Sequence, residues 1–266
     1  MRRLNNALAR GWQQVGPGFL PFADAATAEL PLPRLLRLAL FQVSVGIATV
    51  LLTGTLNRVM IVELGVPASL VGFMVSLPVV FAPFRAVIGF KSDTHRSALG
   101  WKRVPYIWFG TLLQFGGFAI MPFALLVLAG AGESASAPAW IGHLAAGLAF
   151  LLVGAGVHTT QTVGLALATD QSPPESHARV VGLMYVMLLL GMLGSAFVFG
   201  ELLAAYTPGR LIQVIQGTAV LTLVLNTIAM WKQEARSRDR KPRAGIVDPS
   251  FTQAWQMFRS GEQAVR

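Results

Sequence analysis

The sequence contains no cysteine and few charged residues, and each absence restricts what the protein can be. Without cysteine, disulfides, thiolate metal sites and cysteine nucleophiles are excluded. Charged residues make up only 12% of the chain, roughly half of the ~25% found in soluble domains. A phosphate-binding loop, an HExxH motif, paired acids at catalytic spacing and a supported Ser/His/Asp set are also missing. The sequence therefore predicts neither an enzyme nor a nucleotide-driven pump.

The residues that are present indicate a membrane protein. Hydrophobic residues make up 54% of the chain, and the mean hydropathy is +0.58. A membrane-spanning helix needs about 20 apolar residues, and runs of this kind predict an all-α bundle of six transmembrane helices. They lie near 36–62, 68–89, 105–129, 140–169, 179–206 and 211–231. This pattern divides the chain into an N-terminal arm (1–35), a transmembrane domain (36–231) and a basic linker with an amphipathic surface helix (232–266).

Positive charge is unevenly distributed along the chain. The net charge of +9 and the pI near 11.0 would suggest a nucleic-acid partner in a soluble protein. Here, however, the lysines and arginines lie in the two ends and in the loops on one side of the membrane, and only Arg58 and Arg210 fall on the other side. Short loops rich in lysine and arginine stay in the cytoplasm. Both termini are therefore predicted to be cytoplasmic, and the basic charge to face lipid rather than nucleic acid.

The loop between the second and third spans carries a recognisable motif. Its residues are Gly89, Asp93, Arg96, Gly100, Lys102 and Arg103. This spacing resembles the signature between helices 2 and 3 of the major facilitator superfamily, although the gap from Asp93 to Gly100 is longer and contains His95. The longer form, GFKSDTHRSALGWKRVPYIW, resembles the PucC and LhaA light-harvesting assembly proteins, the bacteriochlorophyll-delivery branch of that superfamily. The segments at 19–46, 56–67 and 110–126 resemble the same proteins.

The resemblance implies a fold and a function. It implies the N-terminal six-helix half of a major facilitator fold, since such proteins have two halves; we therefore expect either a half-length protein or part of a chain about twice as long. It also implies an inner, photosynthetic membrane, transient contact with bacteriochlorophyll, and antenna polypeptides as partners. A reaction centre–antenna complex and bacteriochlorophyll synthase are further expected partners. In the superfamily the loop acid, here Asp93, and its basic neighbours lock the ends of the helices together.

Several charged residues lie in or near the predicted spans, among them Arg58, Glu63, Arg85 and Glu201. A charged side chain within a membrane is energetically costly, so each such residue is first considered as a candidate functional residue. Arg58 and Glu63 are close enough in sequence for a local ion pair, and snorkelling of Arg58 to the interface is the alternative. Arg85 is near the basic loop, so its side chain is expected to snorkel towards that loop.

The fourth span has special residues on two faces. Gly156, Thr160 and Gly164 form a stripe of small residues, which allows another helix to approach closely. Either a neighbouring helix of the bundle or a client helix could use that stripe. His158 lies roughly opposite the stripe. Its imidazole is a candidate ligand for the magnesium of a bacteriochlorophyll, with a buried structural histidine as the alternative.

Three functions remain open at this point. The first is assembly of light-harvesting antenna, by delivering bacteriochlorophyll or by chaperoning antenna helices. The second is half of a solute transporter, which would have to dimerise to rebuild a pore. The third is a structural subunit retained in a photosynthetic complex.

Overall fold

The computed structural model describes residues 25, 30–95, 97, 100–130, 138–234 and 252–253. Six long helices dominate this part of the chain. All six are long and apolar enough to cross a membrane. Most of the predicted arm and of the predicted surface helix lies outside the described residues. The helices are α1 (Leu32–Val62), α2 (Ala68–Thr94), α3 (Val104–Leu128), α4 (Ala139–Asp170), α5 (His177–Leu202) and α6 (Pro208–Met230).

Local sequence explains where several helices begin. Proline occupies the first turn of α1, α3 and α6, where its missing N–H would have had no partner in the helix. At α6 the Thr207 side chain also accepts a hydrogen bond from the Arg210 N–H. The apolar run had suggested that the fifth span continues to residue 206. It ends at Leu202 because Thr207 already caps the next helix, and 203–206 must form the connection.

Two of the helices are interrupted. In α1, Leu51–Leu56 forms a π-helical turn, and in α2, Leu77–Phe81 forms a 3-10 turn that includes Pro78. Pro78 lies against Gly154 of α4, where a Cβ would come within 2.5 Å of the Pro78 Cα atom. The absence of a side chain at Gly154 therefore lets the interrupted part of α2 rest directly on α4.

Close backbone contacts hold α3 against α4. A Cβ at Gly110 would lie 3.0 Å from the Gly156 carbonyl oxygen, and one at Gly156 would lie 2.6 Å from the Gln114 nitrogen. Thr160 is fully buried beside Gly110, and Gly164 faces the Phe41 ring of α1, 2.6 Å from where its own Cβ would be. The small-residue stripe of α4 thus lies inside the bundle. The client-helix alternative for this stripe is wrong, because α3 and α1 already cover it.

The helices are enclosed to very different degrees. In the most apolar 18-residue stretch of α1, 67% of the residues are buried within the bundle, whereas in that of α2 only 11% are buried. Gly46 and Gly191 allow α1 to pack closely on α5, since a Cβ at Gly191 would lie 2.6 Å from the Val43 carbonyl oxygen. α1 is therefore central, and α2 is peripheral and rests mainly on α4.

Candidate functional site

Arg103 organises one end of the bundle, which we call the charged end. It is the end where α2, α4 and α6 finish and α1, α3 and α5 begin. The residue is only 6% exposed. Its Nε donates to Asp170 Oδ2 at 2.6 Å and its Nη2 to Asp170 Oδ1 at 3.2 Å. Nη2 also lies 2.5 Å from Asp93 Oδ1, and Nη1 donates to Ser92 Oγ at 2.9 Å. One guanidinium thus joins the ends of three helices, and we call this set the Arg103 cluster.

The electrostatics of the Arg103 cluster favour the charged form of the arginine. Burial alone opposes that charge. The hydrogen bonds and the charge of Asp170, followed by those of Asp93, more than offset it, so the pKa of Arg103 is raised above its usual value. The raised pKa keeps Arg103 charged, and the contribution of that charge to stability is lost as the pH rises through the pKa of the arginine. Two-point contact between a guanidinium and a carboxylate is also among the strongest hydrogen-bonding arrangements in proteins.

Glu234 brings the end of α6 into the same region. Its carboxylate accepts the backbone N–H groups of Lys102, Arg103 and Val104, with donor–acceptor distances of 2.7 to 3.3 Å. These are N–H groups at the start of α3, where a negative charge is favoured. Lys232 has φ 52, the left-handed conformation, and turns the chain after α6. The segment that leaves α6 is therefore fixed over the beginning of α3.

The remaining residues of the loop motif have different roles. Gly100 has φ +81, a conformation that favours glycine, and its N–H bonds to the Ser97 carbonyl at 3.0 Å. A Cβ at Gly89 would make only an ordinary contact, 3.9 Å from Thr162 Cγ2, and the Gly89 carbonyl oxygen accepts a hydrogen bond from Ser92 Oγ at 2.8 Å. Lys102 is exposed and uses its backbone N–H rather than its charge. Arg96 lies outside the described residues.

A second polar cluster lies within the membrane-spanning region. Arg85 of α2 donates through Nε to Thr162 Oγ1 at 2.9 Å and through Nη2 to Gln161 Oε1. Arg85 is nine residues before the end of α2, about 13 Å along the helix axis. The expectation that it snorkels to the loop is wrong, because hydroxyl and amide oxygens on α4 accept its hydrogen bonds. We call Arg85, Gln161, Thr162 and His158 the Arg85 cluster.

His158 lies one helical turn deeper than Thr162. Its ring is half-buried, and its Nδ1 atom is enclosed with no hydrogen-bond partner among the described residues. The ring lies near Arg85, and it also forms a hydrogen bond with the backbone of Pro78 in the interrupted part of α2. An enclosed Nδ1 leaves no space for a magnesium ion on that side of the imidazole. The role of His158 as a magnesium ligand stays a prediction.

The opposite end of the bundle has a much weaker ion pair. Arg58 Nη2 lies 3.7 Å from Glu63 Oε1, and the Arg58 side chain is 62% exposed. Tyr206, in the connection between α5 and α6, is beside this pair. Burial and then the charge of Glu63 raise the pKa of its phenol. Exposed pairs of this kind contribute little to stability.

Sequence reasoning missed two acids that complete the charged end. Asp170 is the only acidic residue of α4 and terminates it, and Glu234 follows α6 by a few residues. A lone acid at the end of an apolar span on the basic side of the membrane could have indicated a partner for the loop arginines. The identity of that partner depends on tertiary contact, since Arg103 and Asp170 are 67 residues apart.

These observations define a multi-pass membrane protein with a tied charged end and a polar cluster at membrane depth. Residues 55–266 match the family described as PUCC protein. The chain is 64% identical over 268 aligned positions to the protein PucC of Rhodovulum sulfidophilum, covering 100% of this chain and 59% of that protein. It is 67% identical to the protein PucC of Rhodobacter capsulatus, covering 90% of this chain and 52% of that protein. The chain belongs to the PucC family.

A more distant relative has a different name. The bacteriochlorophyll synthase 44.5 kDa chain of Rhodobacter capsulatus is 30% identical over 204 residues, which cover 76% of this chain and 45% of that protein. No solved structure matches the chain. The chain spans a little over half the length of the curated PucC relatives that it matches.

Proposed function

We propose that this protein takes part in assembling the light-harvesting antenna of a bacterial photosynthetic membrane. Membership of the PucC family, over residues 55–266, is the observation that carries the proposal. The motif around Asp93 and Arg103 supports it, because it has the longer form by which the chain resembles light-harvesting assembly proteins. The role is one of binding and placement, and no residue is assigned a catalytic function.

Between delivery of bacteriochlorophyll and chaperoning of antenna helices, we propose delivery. The small-residue stripe, the surface on which a client helix could have docked, is closed by α3 and α1. The Arg85 cluster instead provides polar groups at membrane depth on the sparsely covered α2. Bacteriochlorophyll is a largely apolar ligand with a few carbonyl groups and a magnesium ion. Among the described residues, the hydrogen bonds of Arg85 use Nε and Nη2, which leaves Nη1 as a donor for such a carbonyl.

The proposed partners are antenna polypeptides. Contact with a reaction centre–antenna complex or with bacteriochlorophyll synthase is part of the same proposal, because a carrier must receive its pigment and release it to a client. Crosslinking in native membranes, followed by identification of the attached polypeptides, tests this point. Recovery in a fixed ratio with reaction centres would favour a structural subunit instead.

Deletion of the gene tests the function itself. We expect the near-infrared absorbance of the antenna to fall, while pigment synthesis and reaction-centre polypeptides remain. Restoring the native gene should restore the absorbance. Unchanged antenna content would contradict the assembly role, and loss of proton-coupled solute uptake in vesicles from the deletion strain would support the transporter alternative.

We also propose that the charged end faces the cytoplasm, with both termini on that side. The proposal rests on the distribution of lysine and arginine. A reporter fused at Ser97 should read as cytoplasmic, and one fused at Thr207 should read as periplasmic. The reverse result would invert the orientation.

A further inference from the structure

A cavity of about 760 Å³ opens at the charged end. It is bounded by the beginning of α1, the beginning of α3 and the segment that follows α6. Its volume is typical of ligand sites in proteins, which measure about 300–1,000 Å³. Its lining includes no residue of α2, α4 or α5, so it is separate from the Arg85 cluster and from the carboxylates that bind Arg103.

The charges that line this cavity favour an anion. Arg34, Arg37 and Lys232 contribute three positive charges, and Glu234 contributes one negative charge. The Glu234 carboxylate is already bound to backbone N–H groups at the start of α3. The Arg34 guanidinium is occupied by the side chain and carbonyl of Gln233. Excess positive charge therefore remains at Arg37 and Lys232.

Among the charged residues that line the cavity, Arg37 is the strongest candidate to bind a ligand. Its partly buried side chain lines the cavity, and no hydrogen bond or ion pair with the described residues engages its guanidinium. Polar groups withdrawn from water are nearly always paired, so an unpaired guanidinium at a cavity wall is available to a ligand. Guanidinium groups pair especially well with phosphate oxygens, because they donate two hydrogen bonds in one plane.

The remaining lining is apolar and rich in tryptophan. Trp101, Trp108 and Trp231 line the cavity together with Val104 and Met230. Trp108 and Trp231 are 42% and 61% exposed, which suits the boundary between headgroups and acyl chains, where tryptophan is enriched. A ligand that carries an anionic group and an apolar chain matches both halves of this lining.

We propose that this cavity binds the phosphate headgroup of an anionic phospholipid. The phosphate would accept hydrogen bonds from Arg37 and interact with the charge of Lys232, while the beginning of the acyl chains would pack on Trp108 and Trp231. The sequence after Glu234 adds further basic residues, which would draw anionic lipid to this end of the bundle. The site is independent of the proposed pigment delivery.

Quenching of tryptophan fluorescence by brominated lipids tests the proposal on the full chain in a neutral detergent. Brominated phosphatidylglycerol and brominated phosphatidylcholine are titrated separately, since only the first carries a net negative charge. We expect half-maximal quenching by phosphatidylglycerol at an about fivefold lower mole fraction, given the contribution of about one basic residue near a membrane surface. Equal quenching by the two lipids would overturn the proposal.

Two matched pairs of variants locate the effect. Arg37→Gln should abolish the approximately fivefold preference, and Arg37→Lys should retain most of it. Lys91→Gln removes one charge from the end of α2, outside the cavity, and should leave the preference unchanged. Trp231→Phe should remove the selective part of the quenching. Trp140→Phe, which replaces an equally exposed tryptophan on α4, should not.

The source of the anion is tested with soluble phosphate. Millimolar inorganic phosphate should not displace brominated phosphatidylglycerol, because it lacks the chain that packs on the tryptophans. Displacement would overturn the lipid assignment and indicate a site for free phosphate. Equal loss of selectivity in Arg37→Gln and Lys91→Gln would show general surface attraction and would overturn the site altogether.

Discussion

Arg103 and Arg85 are both removed from bulk water, yet their surroundings differ in kind. Arg103 is paired with two carboxylates, which are themselves half exposed to solvent. Arg85, among the described residues, is bound only by the neutral oxygens of Thr162 and Gln161. The first arrangement compensates a buried charge and joins three helices. The second leaves a positive charge uncompensated at membrane depth, where charge is expensive and generally has a function.

This difference suggests separate roles for the two clusters: the Arg103 cluster serves stability, and the Arg85 cluster serves ligand binding. Removing Arg103 leaves two acids without their partner and frees the ends of α2, α3 and α4 from one another. Removing Arg85 leaves only neutral groups, which can bond to each other or to their own helix. Mutation of the first cluster should therefore act mainly on folding, and mutation of the second mainly on ligand binding.

The largest effect is expected for Arg103→Met. Breaking a buried ion pair costs about 3–5 kcal/mol when the remaining charge stays buried. Because Asp93 and Asp170 are half exposed, we expect a loss of about 2 kcal/mol in the free energy of unfolding. Unfolding by sodium dodecyl sulfate in mixed micelles measures it. Lys102→Met, which retains the N–H that binds Glu234, is the control, and an equal loss there would contradict the special role of Arg103.

The two acids that bind Arg103 should rank in the order of their contacts. Asp170 accepts from both Nε and Nη2, whereas Asp93 meets Nη2 alone. Asp170→Asn should therefore lower the free energy of unfolding by about 1–2 kcal/mol, and Asp93→Asn by about half as much. The same denaturant titration distinguishes them. In cells, Asp93→Asn should reduce antenna content without preventing membrane insertion, and the opposite ranking of the two variants would mean that the bidentate contact is not the main tie.

Arg85→Met should change stability by less than about 1 kcal/mol, because the cost of burying its charge disappears together with its hydrogen bonds. Pigment binding should nevertheless fall, which the absorption spectrum of protein purified from native membranes measures. Arg210→Met is the matched control, since Arg210 lies at the opposite end and bonds to the Ala205 carbonyl. A destabilisation as large as that of Arg103→Met would show that Arg85 is structural.

The smallest effect is expected for Arg58→Gln. Its exposed pair with Glu63 has a separation of 3.7 Å, so we expect a change of about 0–0.5 kcal/mol that disappears at high salt. Denaturant titration at low and high ionic strength measures it. A salt-independent loss above that range would place the pair in a buried network.

The fold was largely readable from sequence, because apolar runs of membrane length are a strong signal. The third span, expected at 105–129, is Val104–Leu128 in the structure. The partner of each arginine was not readable in the same way. Whether Arg85 points along α2 to the loop or across to Thr162 depends on how α2 lies on α4, and residues 77 positions apart give no local pattern for that.

The stripe on α4 shows the same limit. Gly156 and Gly164 indicated close approach by another helix, and close approach is what the structure contains. The approaching group is the backbone around Gly110 in one case and the ring of Phe41 in the other. A glycine pattern reports that space is needed, but it does not identify which surface fills that space.

The π-helical turn at Leu51–Leu56 determines how α1 would respond to insertions and deletions. Such a turn holds one residue more than the α-helix it interrupts. Deleting a residue there, for instance the exposed Gly54, would let the hydrogen bonds return to the α-helical pattern. The following segment would keep its orientation, because the π-helical turn already absorbs the extra residue within a single turn. Val59 and Met60 would then stay in the core, whereas a deletion in the regular α-helical part of α1 would rotate them by about 100° about the helix axis.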